Sequence, residues 1–501
     1  MEQFLNKFFP EVVDHHYERN NYCMYDDSGL ADFTSCLYIG GFLGTISGAV
    51  LSRRCGRRAS ILLGGASYLV GAVMTAAAMH LPTVVVARIL MGFGIGLLNQ
   101  AVPVYLSEMS DEKHHLAKEI CLELALSVGV LISNLVMYGS GKLPEWGWRL
   151  SLGLSAIPGA SILFIGLLIP ETPRSLIQRG HDEKAKAQLT ERYGEAEAVV
   201  IYDETLESIN AESAVKYPYI ELLKSDNRPQ FVMALLIPMF TQATGISSLM
   251  FFAPVIFQAI GYQPLDSELY AGLIIGLVYI VCTLISIAIV MKFDYKPLFY
   301  EAGIQMILAL VATGFMLDYK LDLHNFPEKW VTASVISLLS IYIAAYTWSW
   351  GPLCWMIPTS LSRPELHSAT HNFTLSANYI FTYASWRSFL KILCTFHYGT
   401  FFYYAGWIFV GTIFVMLFLP ETKHLSPDDT ASVWNSHWFW KRSVAQAKVN
   451  PFSDPFGDGS HNGSAVKIKT TSLKVPEHVV HVPRSSSTGS VIEYDFNWNL
   501  Y

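Results

Sequence analysis

Eleven stretches of about twenty mainly apolar residues run through this chain, and they leave few folds open to it. They lie at residues 33–52, 59–79, 83–107, 120–138, 150–170, 230–260, 269–291, 298–317, 331–361, 369–386 and 398–420. A hydrocarbon layer offers no water to backbone N–H and C=O groups, so each stretch must satisfy its own backbone, as a helix does. An all-α membrane protein is expected. Only 15% of the 501 residues are charged, against roughly 25% in soluble proteins.

Two stretches are too long for one straight span. Gln230 to Ile260 contains Pro238, Gly245 and Pro254, and Val331 to Leu361 contains Gly351, Pro352 and Pro358. Interrupted helices at corresponding places in two halves point to a carrier with its site at mid-membrane depth. A pair of kinked packing helices is the plainer alternative. An internal repeat supports two halves: "PETPRSLIQRG" begins at Pro170 and "PETKHLS" at Pro420, each closing a bundle. The first closes five stretches and the second six. The repeat therefore predicts one more helix ahead of the first bundle, and Met1 starts just after the place where it would end. The expected organisation is an outer segment at 1–32, a five-span bundle at 33–170, linker helices at 171–228, a six-span bundle at 229–421 and a polar, largely disordered tail at 422–501.

With residues 1–32 outside, Arg53, Arg54, Arg57 and Arg58 of "RRCGRR" and the basic residues of the linker are cytosolic, as the positive-inside rule requires. This topology puts Cys23 and the loop carrying Cys394 on the outer side, where a disulfide persists; two unrelated free thiols is the other reading. The seven cysteines show no CxxC spacing, and no metal-ligand cluster, nucleophile or nucleotide loop stands out, so neither a metal site nor an enzyme is expected. A net charge of −7 with no basic run gives no reason to expect nucleic-acid binding. "GFGIG" (Gly92, Gly94, Gly96) lies inside a span and follows no strand, so it reads as close helix packing. Gly40, Gly44 and Gly48, at four-residue spacing, read the same way. Arg88, in "VVVARILMGFGIGLL", is the exception within the spans: a guanidinium at that depth needs a carboxylate, carbonyls or water.

"RRCGRR", "ARILMGFGIGLLNQAVPVYLSEMS", "GWRLSLGLSAIPG", "PETPRSLIQRG", "QATGISSLMFFAPVIFQAIGY", "SWGPLCWMIP" and "PETKHLSPDDTASVWNSHWFWKR" together resemble the sugar porters of the major facilitator superfamily. The resemblance is strongest to the plant hexose/proton symporters called sugar transport proteins, and it covers Met1 to about Val444. It implies two helical bundles, alternating access, a monosaccharide substrate, no cofactor beyond a coupling proton, a monomer and a plasma-membrane location. "MEQFLNKFFPEV" resembles the extracellular lid that follows the family's first helix. On that reading the predicted preceding helix is the family's first, which carries the aspartate that partners the arginine at the position of Arg88.

The resemblance also implies a site. Gln242, Trp355 and Asn378 match sugar-binding positions, while Thr241 replaces the first of two glutamines, Ser247 an asparagine and Tyr279 another asparagine. Glu123, in "CLELALSVGVLISNL", stands where the family carries a sugar-binding glutamine, and it is a candidate surrogate partner for Arg88 in proton coupling. A carboxylate satisfied by water is the alternative. Cytosolic latch roles pass to Arg53, Arg54, Arg57, Arg58, Glu171, Arg174 and Glu421, although the second-half loop reads "MKFDYK" and lacks the glycine and arginine pair. Two function classes follow: a monosaccharide carrier, or a non-transporting relative that acts as a sensor or is inactive.

Overall fold

Each apolar stretch folds as a helix because its backbone closes on itself while its side chains face lipid or neighbouring helices. The computed structural model describes residues 2–14, 22–23, 25–109, 115–143, 146–259, 264–320, 329–421 and 430–441. The remainder of the predicted outer segment and the tail beyond residue 441 lie outside the described residues.

Two short helices, α1 (Glu2–Phe8) and α2 (Pro10–Asp14), precede the first bundle. That bundle comprises α3 (Ser28–Cys55), α4 (Arg57–Ala77), α5 (Leu81–Glu108), α6 (His115–Gly141) and the paired segments α7 (Gly147–Leu154) and α8 (Ala156–Leu168). The linker forms α9 (Pro173–Gln178), α10 (Asp182–Tyr193), α11 (Glu195–Ala214) and α12 (Pro218–Leu223). Ile177, Ala185, Leu189, Ala198, Tyr202 and Ile209 give the linker a small core of its own. The second bundle comprises α13 (Arg228–Ala243), α14 (Ile246–Phe251), α15 (Ala253–Ala259), α16 (Pro264–Lys292), α17 (Tyr295–Lys320), α18 (Lys329–Thr347), α19 (Trp350–Ser360), α20 (His367–Phe396) and α21 (Gly399–Phe418), followed by α22 (Thr430–Ser436).

Both predicted interruptions are present. The chain breaks between α13 and α14 at Gly245, whose φ of +82° favours glycine; a Cβ there would also run into the Tyr404 ring. It breaks again between α18 and α19 at Ser349, with Pro352 in the first turn that follows.

Ten helical stretches among the described residues are long and apolar enough to cross a membrane. The sequence reading counted eleven. The difference is 369–386, which lies within α20, a helix of 30 residues that is ample in length but carries Asn372, Ser376, Asn378, Ser385 and Arg387. Those polar groups lower its mean hydropathy because α20 packs between α3 and α13 instead of facing lipid all round.

Glycines set the closest packing. A Cβ at Gly92 would strike the Leu37 carbonyl oxygen, one at Gly96 that of Gly41, and one at Gly40 that of Ile89, so α3 and α5 approach backbone to backbone. "GFGIG" is helix packing. The two bundles then meet along two seams, α20 on α3 and α16 on α6. Counted back from the two "PET" segments, α3 corresponds to α16 and α6 to α20, so the repeat exchanges one seam for the other. The tryptophan-rich segment after α21 has a structural use: Trp438 Nε1 and Trp440 Nε1 donate to the carbonyls of Leu417 and Phe418, both at 2.9 Å. These bonds satisfy acceptors that a helix C-terminus leaves open.

A Gly92→Ala change is expected to force α3 and α5 apart and abolish the monodisperse peak of detergent-extracted protein in size-exclusion chromatography. Gly129→Ala, where nothing lies within 4 Å of an added Cβ, should keep that peak and raise stability by up to about 1 kcal/mol through helix propensity.

Candidate functional site

The break after α13 brings three polar side chains together. Gln242 Nε2 donates to Asn378 Oδ1 of α20 at 2.7 Å, and Ser247 Oγ of α14 donates to Gln242 Oε1 at 2.8 Å. Thr241, one residue earlier, is 2% exposed and donates to the Ile237 carbonyl in its own helix at 2.9 Å. Trp355 stands half-buried on α19. Glu123 of α6 is buried and accepts a short hydrogen bond from the Tyr279 hydroxyl of α16. Its Oε1 lies beside Gly351, so the helix break leaves room for the carboxyl. Cys354 of α19, fully buried, interacts with both Thr241 and Glu123. The seven candidate positions thus come from α6, α13, α14, α16, α19 and α20. A monosaccharide, whose hydroxyls both donate and accept, suits such a mixture of amides, hydroxyls and an indole face.

Arg88 is placed elsewhere. Its guanidinium carbon lies 3.8 Å from the centroid of the Phe33 ring, a cation–π stack. Phe33 in turn packs against Phe4 and Phe9 of the outer segment, and Phe4 also packs against Trp148. The expected pairing of Arg88 with Glu123 is not formed: the carboxyl is held by Tyr279, and among the described residues Arg88 has no ion pair. At the same end of the molecule Asp32 pairs with Arg387 across the α3–α20 seam at 2.5 Å. Cys23 and Cys394 are joined by a disulfide that ties the outer segment to the second bundle.

At the opposite end the latch residues converge on two carboxylates. Glu171 Oε1 accepts from the backbone N–H of Arg57 at 2.8 Å and so caps α4. Gly56 makes this possible, with φ of +100° and no space for a Cβ against the Glu171 carboxylate. Arg57, 6% exposed, pairs with Glu108 at 2.7 Å and donates to Gln178 Oε1 at 2.8 Å. Thr172 Oγ1 donates to the second Glu108 oxygen at 2.6 Å. Arg174 bonds Glu212 at 2.6 Å, Arg179 pairs with Glu171 at 3.3 Å, and Arg58 donates to the carbonyls of Gly166 and Leu167. Arg53 reaches Ser368 of α20 at 3.3 Å, and among the described residues it alone of the four loop arginines bonds across the bundles; Arg54 joins none of these contacts. Glu421 sits apart in the second bundle, where it accepts from the Lys296 backbone N–H at 3.3 Å and caps α17 as Glu171 caps α4.

Sequence reasoning missed several of these residues. Glu108 is the hub of the latch, and its signal was a lone carboxylate at the end of an apolar run, opposite "RRCGRR". Asn99 Nδ2 donates to the Tyr379 hydroxyl at 2.7 Å across the bundles, and Ser248 and Ser385 bond at 2.9 Å. A lone asparagine in "GIGLLNQ" signalled the first; the second had no signal beyond polarity. No group of His, Cys, Asp and Glu able to hold a metal ion occurs among the described residues.

A two-bundle helical membrane protein with broken helices over a polar centre has the architecture of a secondary carrier. The family described as "Sugar (and other) transporter" matches residues 1–434, and the chain belongs to it. Sugar transport protein MST4 of Oryza sativa subsp. japonica is 38% identical over 471 residues, 93% of this chain and 91% of that protein. Sugar carrier protein A of Ricinus communis is 39% identical over 470 residues, covering 93% and 90%. The proton:xylose symporter XylE bound to 6-bromo-6-deoxy-D-glucose superposes with a TM-score of 0.70 at 22% identity, over 81% of this chain and 89% of that one, which establishes the shared fold. The chain is an integral multi-pass membrane protein of the major facilitator fold, and its similarity to plant sugar transport proteins extends over most of its length.

Removing the Glu108 carboxylate would leave Arg57 buried and unpaired, a loss of about 3–5 kcal/mol. Glu108→Ala is therefore expected to lower the melting temperature of the detergent-purified protein by several degrees, whereas Arg54→Ala should move it by less than a degree.

Proposed function

We propose that this protein carries a monosaccharide across the plasma membrane by alternating access, with the Gln242–Asn378–Ser247 cluster, Thr241, Trp355, Glu123 and Tyr279 forming its sugar site. The supporting observation is the position of that cluster. It lies at the break after α13, bonded to α20, the helix that forms one seam between the bundles, so filling the site and moving the bundles act on the same groups. A sugar entering there exchanges the internal hydrogen bonds of Gln242 and Asn378 for bonds to its hydroxyls, and Trp355 offers a face for ring C–H groups. The latch around Glu108 and Glu171 holds the cytosolic ends of the first bundle together while the two seams rearrange. A proton is the only coupling ion this reading requires, with Arg88 and Glu123 as candidate groups for it inside the spans.

The test is uptake of labelled hexoses and pentoses into cells that lack their own carriers. Saturable uptake is expected. Gln242→Ala and Asn378→Ala should each raise the half-saturating concentration roughly five- to a hundredfold, the equivalent of about 1–3 kcal/mol for one buried polar group left unpaired. Correct surface delivery with no uptake of any monosaccharide would instead support the sensor reading, which the substitutions at Thr241, Ser247 and Tyr279 favour.

A further inference from the structure

Glu123 and Tyr279 bridge the two bundles within the span, and the surroundings of that bridge are one-sided. Tyr279 is 4% exposed and Glu123 is 9% exposed. The helices packed on α6 are α16, α7, α19 and α5, and among the described residues none of them offers Glu123 a cation. From α16 comes the Tyr279 hydroxyl, and from α19 the Cys354 thiol; Tyr346, at the end of α18, also faces the carboxyl. Arg88 of α5 is committed to Phe33, and Arg149 of α7 lies over the Trp148 ring with its guanidinium carbon 4.6 Å from the ring centroid. A carboxylate enclosed in this way without a counter-charge is strongly disfavoured, whereas a carboxylic acid accepting from a tyrosine and resting against Gly351 is tolerated.

We propose that Glu123 is the proton-binding group of this protein, and that closure of the α6–α16 seam, which seats it against Tyr279, is the step that requires the proton. The inference rests on the carrier reading above and adds to it the site of the coupling ion. When the seam opens, water reaches the carboxyl and the proton leaves to that water. When it closes, Glu123 takes a proton from the water of the open cavity onto Oε2, the oxygen that Tyr279 does not bond. One proton then accompanies each closure, and the closed form gains population as pH falls, because a ligand shifts an equilibrium toward the state that binds it better. The other seam has no such group at its centre: Tyr379 of α20 reaches Asn99 of α5, and neither carries a charge. The titratable groups on the helices of that seam lie toward its ends, the exposed Asp32–Arg387 pair at the outer end and His367 and His371 at the start of α20.

The experiment is an infrared pH titration of the full-length protein in lipid vesicles, read at the carbonyl stretch of a protonated buried carboxyl, alongside hexose uptake at about pH 5 and about pH 7.5. The native protein should show the band at the lower pH and about tenfold faster uptake there. Glu123→Gln should remove the band and the pH dependence together, Glu123→Asp should restore a band, and Tyr279→Phe should shift its frequency upward by removing the donated bond. Glu301→Gln, a carboxyl elsewhere within a span, should change neither readout. A band that survives in Glu123→Gln, or no band in the native protein at either pH, overturns the proposal. A Glu123-dependent band in a protein with no sugar uptake would leave the proton site standing and defeat the carrier reading instead.

Discussion

The backbone contact between α3 and α5 is the constraint on which the rest of the structure depends. Gly40, Gly92 and Gly96 bring carbonyl oxygens against α-carbons, and no side chain fits between them. In lipid no hydrophobic force drives two helices together, so the contact must come from close van der Waals packing of this kind. The consequence reaches the second bundle. With α3 drawn against α5, Gly41 opens a slot on the seam, the ring of Tyr379 fills it, and its hydroxyl finds Asn99 on the helix behind. One tyrosine thus fixes the register of α20, which also carries Asn378 and with it the Gln242 amide.

The repeat shows where the halves have diverged. Gly41 and Tyr279 each stand twelve residues before the first residue of their loops, "RRCGRR" and "MKFDYK". At the first seam that position is the slot; at the second it is the knob, which crosses to Glu123. The capping carboxylates have kept their job in both halves, since Glu171 and Glu421 each accept from the first turn of the helix after the loop. What the second half lacks, among the described residues, is a counterpart of the Arg57–Glu108 pair. Its loop holds Asp294 where the first half has Gly56, and Tyr295 where it has Arg57, so the ion pair that organises the first latch has no second copy.

Much of this was legible in the sequence for physical reasons. Apolar runs give spans because the backbone must be satisfied locally, and proline with glycine inside such a run gives a break; both hold for α13–α14 and α18–α19. The family motifs named Gln242 and Asn378, which the structure joins by a hydrogen bond. The eleventh stretch, 369–386, is a helix as read, although it is less apolar than the others because α20 is packed between α3 and α13 and its polar residues make hydrogen bonds. The partner of Arg88 was not legible at all. Reasoning from charge looked for a carboxylate, and the structure supplies the face of Phe33, backed by aromatic residues of the outer segment. Cation–π stacking leaves no mark in the spacing of charged residues.

The internal bonding of the site bears on how tightly it can hold a substrate. Gln242, Asn378 and Ser247 already satisfy one another, and Thr241 is satisfied by its own helix. A sugar hydroxyl that displaces one of these bonds gains only the difference between two similar hydrogen bonds, a net of about 1 kcal/mol or less at each place. Weak binding is no handicap for a carrier, whose substrate must leave as readily as it enters. It does shift the burden of selectivity. If hydroxyl bonds nearly cancel, discrimination at the proposed sugar site falls to groups whose mismatch is costly, and among its proposed residues those are Trp355, Tyr279 and the buried carboxyl of Glu123. A substrate that left Glu123 enclosed as an anion would incur the charge-burial penalty that a neutral acid avoids. The same carboxyl would then govern both when the seam closes and what it closes upon.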